Sequence, residues 1–553
     1  MNTTGIARGA ASTLLLLIGL VTIANAAPPS APAPSDTERL GPVSFLVSCA
    51  PSVQAGFNRG VALLHDFWYE EAKPQFETIL KSDPDCAMAH WGVAMSVFHE
   101  IWDRPDEATM MTAWREMEAA QAHPAKTPRE NAYISALANF FRPGSDPFQT
   151  RIDAYAIAMG KLYADFPQDV DAGAFYALAL LAAEAPDDTT LAANHQAMTV
   201  LLPLWRKYPD HPGLVHYIIH ACDTPSLAAD GLAAARRYGK IAPSGPHAVH
   251  MPGHIFARLG LWQEDIDANL ASVAASQAAE ARGENGWMDQ FHSDDFLVYA
   301  YLQSGREARA KAIATASDQA IAHYEKMPDM KPENYMVGMF PYYRAKLPTF
   351  IALETRDWRA AQRLQVIKGA PPDTQLQIYW ARVIADGHLH DARQARADLA
   401  AYDALIEQIK KGDHAYYVKS TGAQIRREEM LAWAALAAQD IDAGIKQMRA
   451  SADLQDKVGQ GEVDIPAREM LADMLLEAGR PRDALVEYKQ TMKLSPNRFN
   501  GLFNAGKAAE AAGSRAVARS YYTSLLALTD GAQSTRAEIG HAKAFLATAG
   551  LAR

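Results

Sequence analysis

The segment that decides the fold is residues 466–496, which read PAREMLADMLLEAGRPRDALVEYKQTMKLSP. Apolar residues recur every three or four positions on both sides of Gly479, and this spacing predicts two short helices joined at a glycine break. The second helix carries Ala484 and Tyr488, and Pro496 ends the unit. The segment therefore predicts a helical hairpin in which small residues let the two helices approach closely.

The same pattern returns after 34 residues. The corresponding positions one period later are Ala505-Gly506, Gly513, Ala518 and Tyr522, and near the N-terminus they are Gly60, Ala72, Phe76 and Pro84. We expect the aromatic position to fill the gap between one hairpin and the next. A helical hairpin with this period and these positions resembles the tetratricopeptide repeat (TPR).

Strand signals are nearly absent from the sequence, because alanine dominates and β-branched residues are sparse. We therefore predict an all-α fold, a right-handed α-solenoid of TPR-like helical hairpins. It divides into an N-terminal solenoid with a His-rich groove at 42–279, an irregular helical-repeat middle at 280–413, and C-terminal TPR repeats at 414–545. An irregular helical bundle is the alternative for the middle third, where insertions break the period.

The N-terminus carries the features of an export signal. Residues 1–26 contain one positive residue, Arg8, followed by an apolar run and the A-x-A site at 24–26. No later stretch reaches the roughly 18 apolar residues that a transmembrane helix needs. We expect a signal peptide at 1–26, a Pro/Ala-rich tether at 27–41, and a periplasmic or secreted protein without stable membrane insertion after cleavage. The alternative is an uncleaved N-terminal anchor.

The composition narrows the class of partner. The 553 residues include 53 Lys+Arg and 64 Asp+Glu, a formal charge of −11. This balance argues against nucleic acid as a partner, because phosphate binding needs a basic surface. The sequence contains no phosphate loop, dinucleotide fingerprint or nucleophile elbow. We therefore assign no catalytic residue and favour a binding protein over an enzyme.

Two of the three cysteines flank the first predicted hairpin. Cys49 precedes it and Cys86 follows 37 residues later. In an exported chain, a disulfide between them would lock the end of the solenoid, where no neighbouring repeat covers it. The alternative is two separate buried thiols, which pack as small apolar residues. Cys222 is left without a predicted partner.

Histidines are concentrated in one window, since six of the 17 lie within 211–254. His216 and His220 are four residues apart, as are His250 and His254, so each pair shares one face of a helix. The pairs are offset by the repeat period of 34 residues. We therefore expect them side by side on neighbouring first helices, whose axes lie about 8–10 Å apart.

The repeat register places further polar residues near these pairs. In TPR proteins the corresponding positions of the first helix line a concave ligand groove, which here predicts a wall of His216, His220, His247, His250, His254, His292 and Asp295. Pro252 complicates the register because it has no N–H to donate within a helix. The helix is kinked there, or it begins there and leaves the preceding histidines in a loop.

Three interpretations of the cluster remain open. Our main interpretation is a groove that binds a peptide, a protein partner or a small polar ligand. The alternative is a transition-metal site, or a metal-dependent hydrolase, built on the 216/220/247/250/254 cluster, since paired imidazoles suit Zn and Cu. The metal-ligand candidates are His216, His220, His250, His254 and Asp223. The third interpretation is structural, with histidines hydrogen-bonded to carbonyls between helices.

Four segments extend the resemblance to a family of exported bacterial TPR proteins. They are LHDFWYEEA at 64–72, DPDCAMAHWG at 83–92, HYIIHACD at 216–223 and HAVHMPGHIF at 247–256. The resemblance implies the helical-repeat fold, export, and a shared role for the residues in these segments, but it does not name an activity.

Overall fold

Helices make up the regular structure throughout the described part of the chain. The computed structural model describes residues 38–101, 104–185, 188–327, 335–367, 370–411, 418, 420–460 and 464–549. These ranges contain no β-strand, so the predicted all-α class is confirmed. The predicted signal peptide and all but the last four residues of the predicted tether lie outside them, and both stay predictions.

The helices follow one another closely along the chain. A short 3-10 turn, Pro51–Val53, precedes the first hairpin. The N-terminal helices are Gln54–His65, Tyr69–Ser82, Ala87–Met95, Glu107–Ala122, Pro128–Phe141, Phe148–Asp165, Val170–Ala182 and Ala192–Lys207. Those around the histidine window are Pro212–Cys222, Ala228–Ile241, Pro246–His250, Pro252–Arg258, Trp262–Ala281 and Trp287–Gln303. The remaining helices in the described ranges are Glu307–Tyr324, Tyr335–Glu354, Trp358–Gln362, Pro372–Leu389, Ala392–Ile409, Thr421–Ala437, Ile441–Val458, Ala467–Glu477, Pro481–Leu494, Phe499–Ala511, Arg515–Leu528 and Ala537–Ala549.

Sequential helices pack against each other as the TPR-like solenoid predicts. Among the described residues, no helix is both long enough and apolar enough to cross a bilayer.

The deciding segment folds as its sequence predicts. Its first helix is Ala467–Glu477 and its second is Pro481–Leu494. Gly479 lies between them with φ +71°, a left-handed conformation that costs glycine little because it has no Cβ. Tyr488 is fully buried on the second helix. The glycine therefore ends the first helix and reverses the chain for the hairpin.

The small and aromatic repeat positions meet directly in the first hairpin. The ring of Phe76 packs so closely that a Cβ on Gly60 would lie 2.6 Å from it, and a Cβ on Gly92 2.3 Å. Gly60 belongs to the same hairpin as Phe76, and Gly92 belongs to the next. The aromatic ring is therefore wedged between two hairpins, as the repeat pattern predicts.

The array winds tightly enough for distant repeats to touch. Trp68 donates from Nε1 to the carbonyl of Asn285 (2.5 Å), across 217 residues. Trp262 donates in the same way to Asn497 (2.6 Å), across 235 residues, which is about seven periods. Distant segments of the described chain are therefore in direct contact. Of the seven residues predicted to line an open groove, four are buried, namely His216, His247, His250 and Asp295.

Cys49 and Cys86 are joined by the predicted disulfide, with Cα atoms 5.0 Å apart. The bond ties the segment before the first hairpin to the start of helix Ala87–Met95. Cys222 is a free, buried thiol, and its Sγ lies 3.7 Å from Sδ of Met198.

Candidate metal centre

Helix Pro212–Cys222 presents two histidines on one side. His216 and His220 are one turn apart, and their Nε2 atoms approach to 3.0 Å. His216 is fully buried, whereas His220 is partly exposed. The i, i+4 spacing that the sequence shows is therefore realised as two imidazoles facing a common point.

Pro252 breaks the next histidine-bearing helix in two. Pro246–His250 and Pro252–Arg258 are separate short helices that meet at Met251. Pro252 starts the second helix, where its missing N–H is tolerated. The sequence left open a kink or a loop, and the structure shows a helix that is interrupted but continues. His247 and His250 lie before the break and His254 lies after it.

Three imidazoles converge in what we call the first histidine triad, His216, His220 and His247. One ring nitrogen from each lies within 4.8 Å of the others. The ring centroids of His216 and His247 are 5.2 Å apart. His216 Nδ1 lies 2.6 Å from the carbonyl of His65, which fixes its proton on Nδ1 and leaves Nε2 as a lone pair pointing to the shared point.

A second histidine triad adjoins the first and consists of His250, His254 and His292. Its three ring nitrogens also lie within 4.8 Å of one another. His250 and His254 approach to 3.0 Å between their Nε2 atoms, and the His250 and His292 centroids are 4.3 Å apart. His292 comes from helix Trp287–Gln303. Three different helices thus supply the second triad.

Hydrogen-bond partners fix the protons of the second triad on the far side of two rings. His254 Nδ1 lies 2.8 Å from Oδ2 of Asp223, whose carboxylate only accepts, so Nδ1 carries the proton. His250 Nδ1 lies 2.6 Å from Oδ1 of Asn269. The Asn269 amide is oriented because its Nδ2 donates to the backbone carbonyl of Asp265 (2.9 Å). His250 therefore donates from Nδ1 as well, and both Nε2 lone pairs face each other.

The charge state of Asp223 supports this assignment. Burial raises the pKa of its carboxyl, but the Arg258 guanidinium and His254 outweigh this and hold the pKa well below its usual range. Arg258 donates from Nε to Asp223 Oδ1 at 2.9 Å. Asp223 is thus an ionised acceptor behind His254, and it orients the ring.

The cluster favours neutral imidazoles. His216, His250 and His247 are 0%, 0% and 3% exposed. Burial lowers the pKa of five of the six rings well below the usual value, and neighbouring imidazoles lower it further; these are His216, His220, His247, His250 and His292. A neutral imidazole is the form that ligates metal ions, so these rings can bind a metal cation without first losing a proton.

An aromatic ring in a strained turn covers the first triad. Phe67 has φ +56°, in the left-handed region that costs a non-glycine residue about 1–2 kcal/mol. Its ring lies 4.4 Å from that of His216 and stacks on His220 and His247 at 5.3 and 5.7 Å between centroids. The surrounding packing therefore holds a costly backbone conformation at the triad, which is typical of functional sites.

Two residues of the predicted site have other positions. Asp223 is the hydrogen-bond partner of His254, so the structure places it behind the ring and outside the converging nitrogens. Asp295 is buried in an ion pair with Lys346 (2.5 Å). The seven residues predicted to line a groove are thus six converging imidazoles and one carboxylate bound elsewhere, and three of the imidazoles are buried.

A third polar group lies nearby and is chemically different. The imidazoles of His65 and His211 both approach Oδ1 of Asp171 through Nε2, at 2.9 and 3.2 Å. Tyr217 O–H lies 2.9 Å from His65 Nδ1. Burial raises the pKa of Asp171, but the hydrogen bonds from His211 and His65 outweigh it and the net pKa is lowered. The carboxylate therefore already supplies the negative partner of this group.

Sequence reasoning missed the residues that orient the histidines. Asn269 and Arg258 carry no motif, and their roles depend on helices that meet only in three dimensions. Phe67 lies in the segment LHDFWYEEA that resembles the exported family, but nothing in the segment shows that it touches histidines 150 residues away. The spacing of the histidine pairs and the repeat register, which named His247 and His292, were the signals readable in advance.

No protein-family model matches the chain, and no curated protein matches it. Solved structures that are similar include the P58(IPK) TPR domain, at 14% identity, covering 69% of this chain and 99% of that one, with a TM-score of 0.22. Naa15/Naa10 bound to HypK-THB is 12% identical, covering 90% and 73%, with a TM-score of 0.23. A human IFIT1 dimer with m7Gppp-AAAA is 10% identical, covering 80% and 90%, with a TM-score of 0.35. Likenesses of this size concern the helical-repeat fold alone.

Proposed function

We propose that this chain is a helical-repeat binding protein whose histidine cluster binds transition-metal ions, one at each histidine triad. The observation that carries the proposal is the pair of Nε2 lone pairs of His250 and His254, 3.0 Å apart. Two lone pairs at this distance repel unless a proton or a metal ion lies between them or beside them. A metal ion accepts both lone pairs at once, whereas burial lowers the pKa of His250 and so disfavours a protonated ring there.

The donor set indicates the class of metal. Each triad offers three imidazole nitrogens and no thiolate, a set that suits Zn, Cu or Ni. At metal–nitrogen distances of about 2.0–2.1 Å, nitrogens 3.0 Å apart subtend roughly 91–97° at the ion, so one ion reaches both rings. Three protein ligands leave a position for water or an exogenous ligand, as in zinc sites that activate water.

The outer contacts also fit metal ligation. In metal sites the ligating histidine typically donates its other N–H to a carbonyl or carboxylate, which fixes the ring and raises its basicity. His216 has such a partner in the His65 carbonyl, His250 in Asn269 and His254 in Asp223. The same contacts hold the protons on Nδ1, so they keep the three rings in the tautomer that ligates through Nε2.

A peptide or protein ligand at the same residues is less well supported. His216, His247 and His250 are covered by other repeats and cannot touch a bulky partner without opening the fold. The scaffold role predicted from the repeat would then use another surface. Such a partner and the export of the chain both stay predictions.

Elemental analysis of protein purified without an affinity tag tests the proposal. We expect about two transition-metal ions per chain after dialysis with Zn or Cu, and a higher melting temperature than for the chelator-treated protein. Less than about 0.1 ion per chain with either metal, together with no change in melting temperature, would contradict the proposal.

Substitutions assign the ions to their ligands. His216→Ala and His250→Ala should each remove about one ion per chain, and the double variant should remove both. His388→Ala is the matched control, since His388 is also a buried histidine, stacked on Trp358 at 3.8 Å and paired with Glu477 at 2.7 Å. Retention of both ions by the double variant would place the metal elsewhere.

A further inference from the structure

The two histidine triads are adjacent rather than separate. His247 of the first and His250 of the second lie on the same short helix, Pro246–His250, and their ring centroids are 5.9 Å apart. His250 in turn lies 4.3 Å from His292. Ions at the two triads would therefore be neighbours, because helix Pro246–His250 supplies a ligand to each.

We propose that the two triads form a single binuclear centre whose two ions share one small anionic oxygen or nitrogen ligand, such as hydroxide or azide. This inference rests on the proposed function, because it requires an ion at each triad. Two-metal centres commonly hold their ions about 3.5–4 Å apart across such a bridge.

Charge balance supports a bridging anion. Imidazole ligands carry no negative charge, so two divalent ions would bring four positive charges among six rings, three of which are buried. Asp223 supplies one negative charge next to the second triad, where it also pairs with Arg258. Burying uncompensated charge is costly, and an anion held between the ions offsets that cost at the shortest distance.

The open coordination positions give the anion a place to bind. Three protein ligands per ion leave each ion short of a filled shell. His220, His254 and His292 are the partly exposed members of the two triads, and the His254 side chain is 19% exposed. A small anion can therefore reach the cluster at these partly exposed rings, although Phe67 stacks on His220 and His247 of the first triad.

Electron paramagnetic resonance of the Cu(II)-loaded, untagged full chain tests the inference. If one ligand bridges the ions, the two unpaired electrons couple, and about two Cu per chain should integrate to less than about half a spin. His220→Ala should bind about one Cu at the second triad, and His292→Ala about one at the first. Each variant should then give about one full spin per bound Cu. The control His388→Ala should keep the silent, two-ion state.

The outcomes separate this inference from the proposed function. About two Cu per chain with the full intensity of two spins, with or without azide, would overturn the bridge and leave two independent metal sites standing. One Cu per chain in the unsubstituted protein would overturn the binuclear centre while retaining metal binding. Less than about 0.1 Cu per chain would overturn both.

Discussion

The histidine cluster and a buried ionic network in the C-terminal half are instructive to compare. Arg498 donates from Nη2 to Glu354 and from Nε to Glu469, both at 2.8 Å, and all three side chains are 1–2% exposed. Asn500 donates to Glu354 as well (3.0 Å). In this network a cation supplied by the chain lies between two carboxylates. In the histidine cluster the Nε2 lone pairs of His250 and His254 face each other at 3.0 Å.

The two regions differ in whether their polar groups find partners within the chain, and this criterion distinguishes a structural polar cluster from a ligand site. Both regions are buried and both tie distant helices together, so burial alone does not distinguish them. A structural cluster satisfies its own donors and acceptors, as Arg498 does for its two carboxylates. The second histidine triad instead directs two acceptors at each other. What must be added to complete it is a cation.

The largest expected effect is in the ionic network. Arg498→Met leaves Glu354 and Glu469 buried without their cation, and we expect a loss of about 3–5 kcal/mol in the free energy of unfolding. The urea midpoint measures it. Arg236→Met is the control, because Arg236 also donates from Nε and Nη2 at 2.8 Å, but to the single carboxylate of Glu264 and on the surface.

The control should leave the urea midpoint unchanged, since surface ion pairs contribute little. Metal content should also stay unchanged in both variants, because neither arginine contacts a triad. A loss of bound metal in folded Arg498→Met would show that the two regions are energetically coupled. It would contradict the distinction between a structural network and a separate ligand site.

The disulfide should give the next largest effect. Cys49→Ala/Cys86→Ala opens a loop of 37 residues, and we expect about 3–4 kcal/mol less stability under oxidising conditions. The loss should concentrate in the N-terminal repeats, measured by hydrogen exchange of helices Gln54–His65 and Tyr69–Ser82. Equal loss of protection in helix Pro481–Leu494 would contradict a local role for the bond.

Much of the fold was readable from the sequence, and the reason is the repeat. Gly513 and Tyr522, one period after Gly479 and Tyr488, have the same roles: the glycines have positive φ between the two helices of a hairpin, and the tyrosines are buried on the second helix. Local packing therefore recurs, and one hairpin predicts the others.

The pairing of His216 with His220 was readable because i, i+4 geometry is a property of a single helix. The pairing of His250 with His254 persists across the break at Pro252. The disulfide followed from the position of two cysteines around the first hairpin.

What could not be read was the way distant repeats meet. The repeat register assigns the histidines to a concave face but does not say how tightly the superhelix winds. Contacts such as Trp262 with Asn497 depend on small rotations summed over about seven repeats, and these are not encoded in any local motif. The result is that an expected groove is an interior cluster. The partners of the histidines, Asn269 above all, were missed for the same reason.

The smallest of the three effects tests the orientation of one ring. Asn269→Leu removes the acceptor of His250 Nδ1, so His250 is free to place its proton on Nε2, where it blocks ligation. We expect the affinity of the second triad for Zn to fall about 10- to 100-fold, with the first triad unaffected. Competition with a chelator of known affinity measures it on the folded protein, with circular dichroism recorded alongside.

The matched control takes the same substitution into the other region. Asn500→Leu removes a buried amide that donates to Glu354, so it should lower the urea midpoint and leave both zinc affinities unchanged. If Asn269→Leu also lowered only the midpoint, the amide would be a structural partner like Asn500 and the second triad would behave as the ionic network does. A loss of zinc affinity confined to the second triad is the result that only a ligand site produces. An amide with a purely structural role would change stability and would not change the strength of a metal–nitrogen bond.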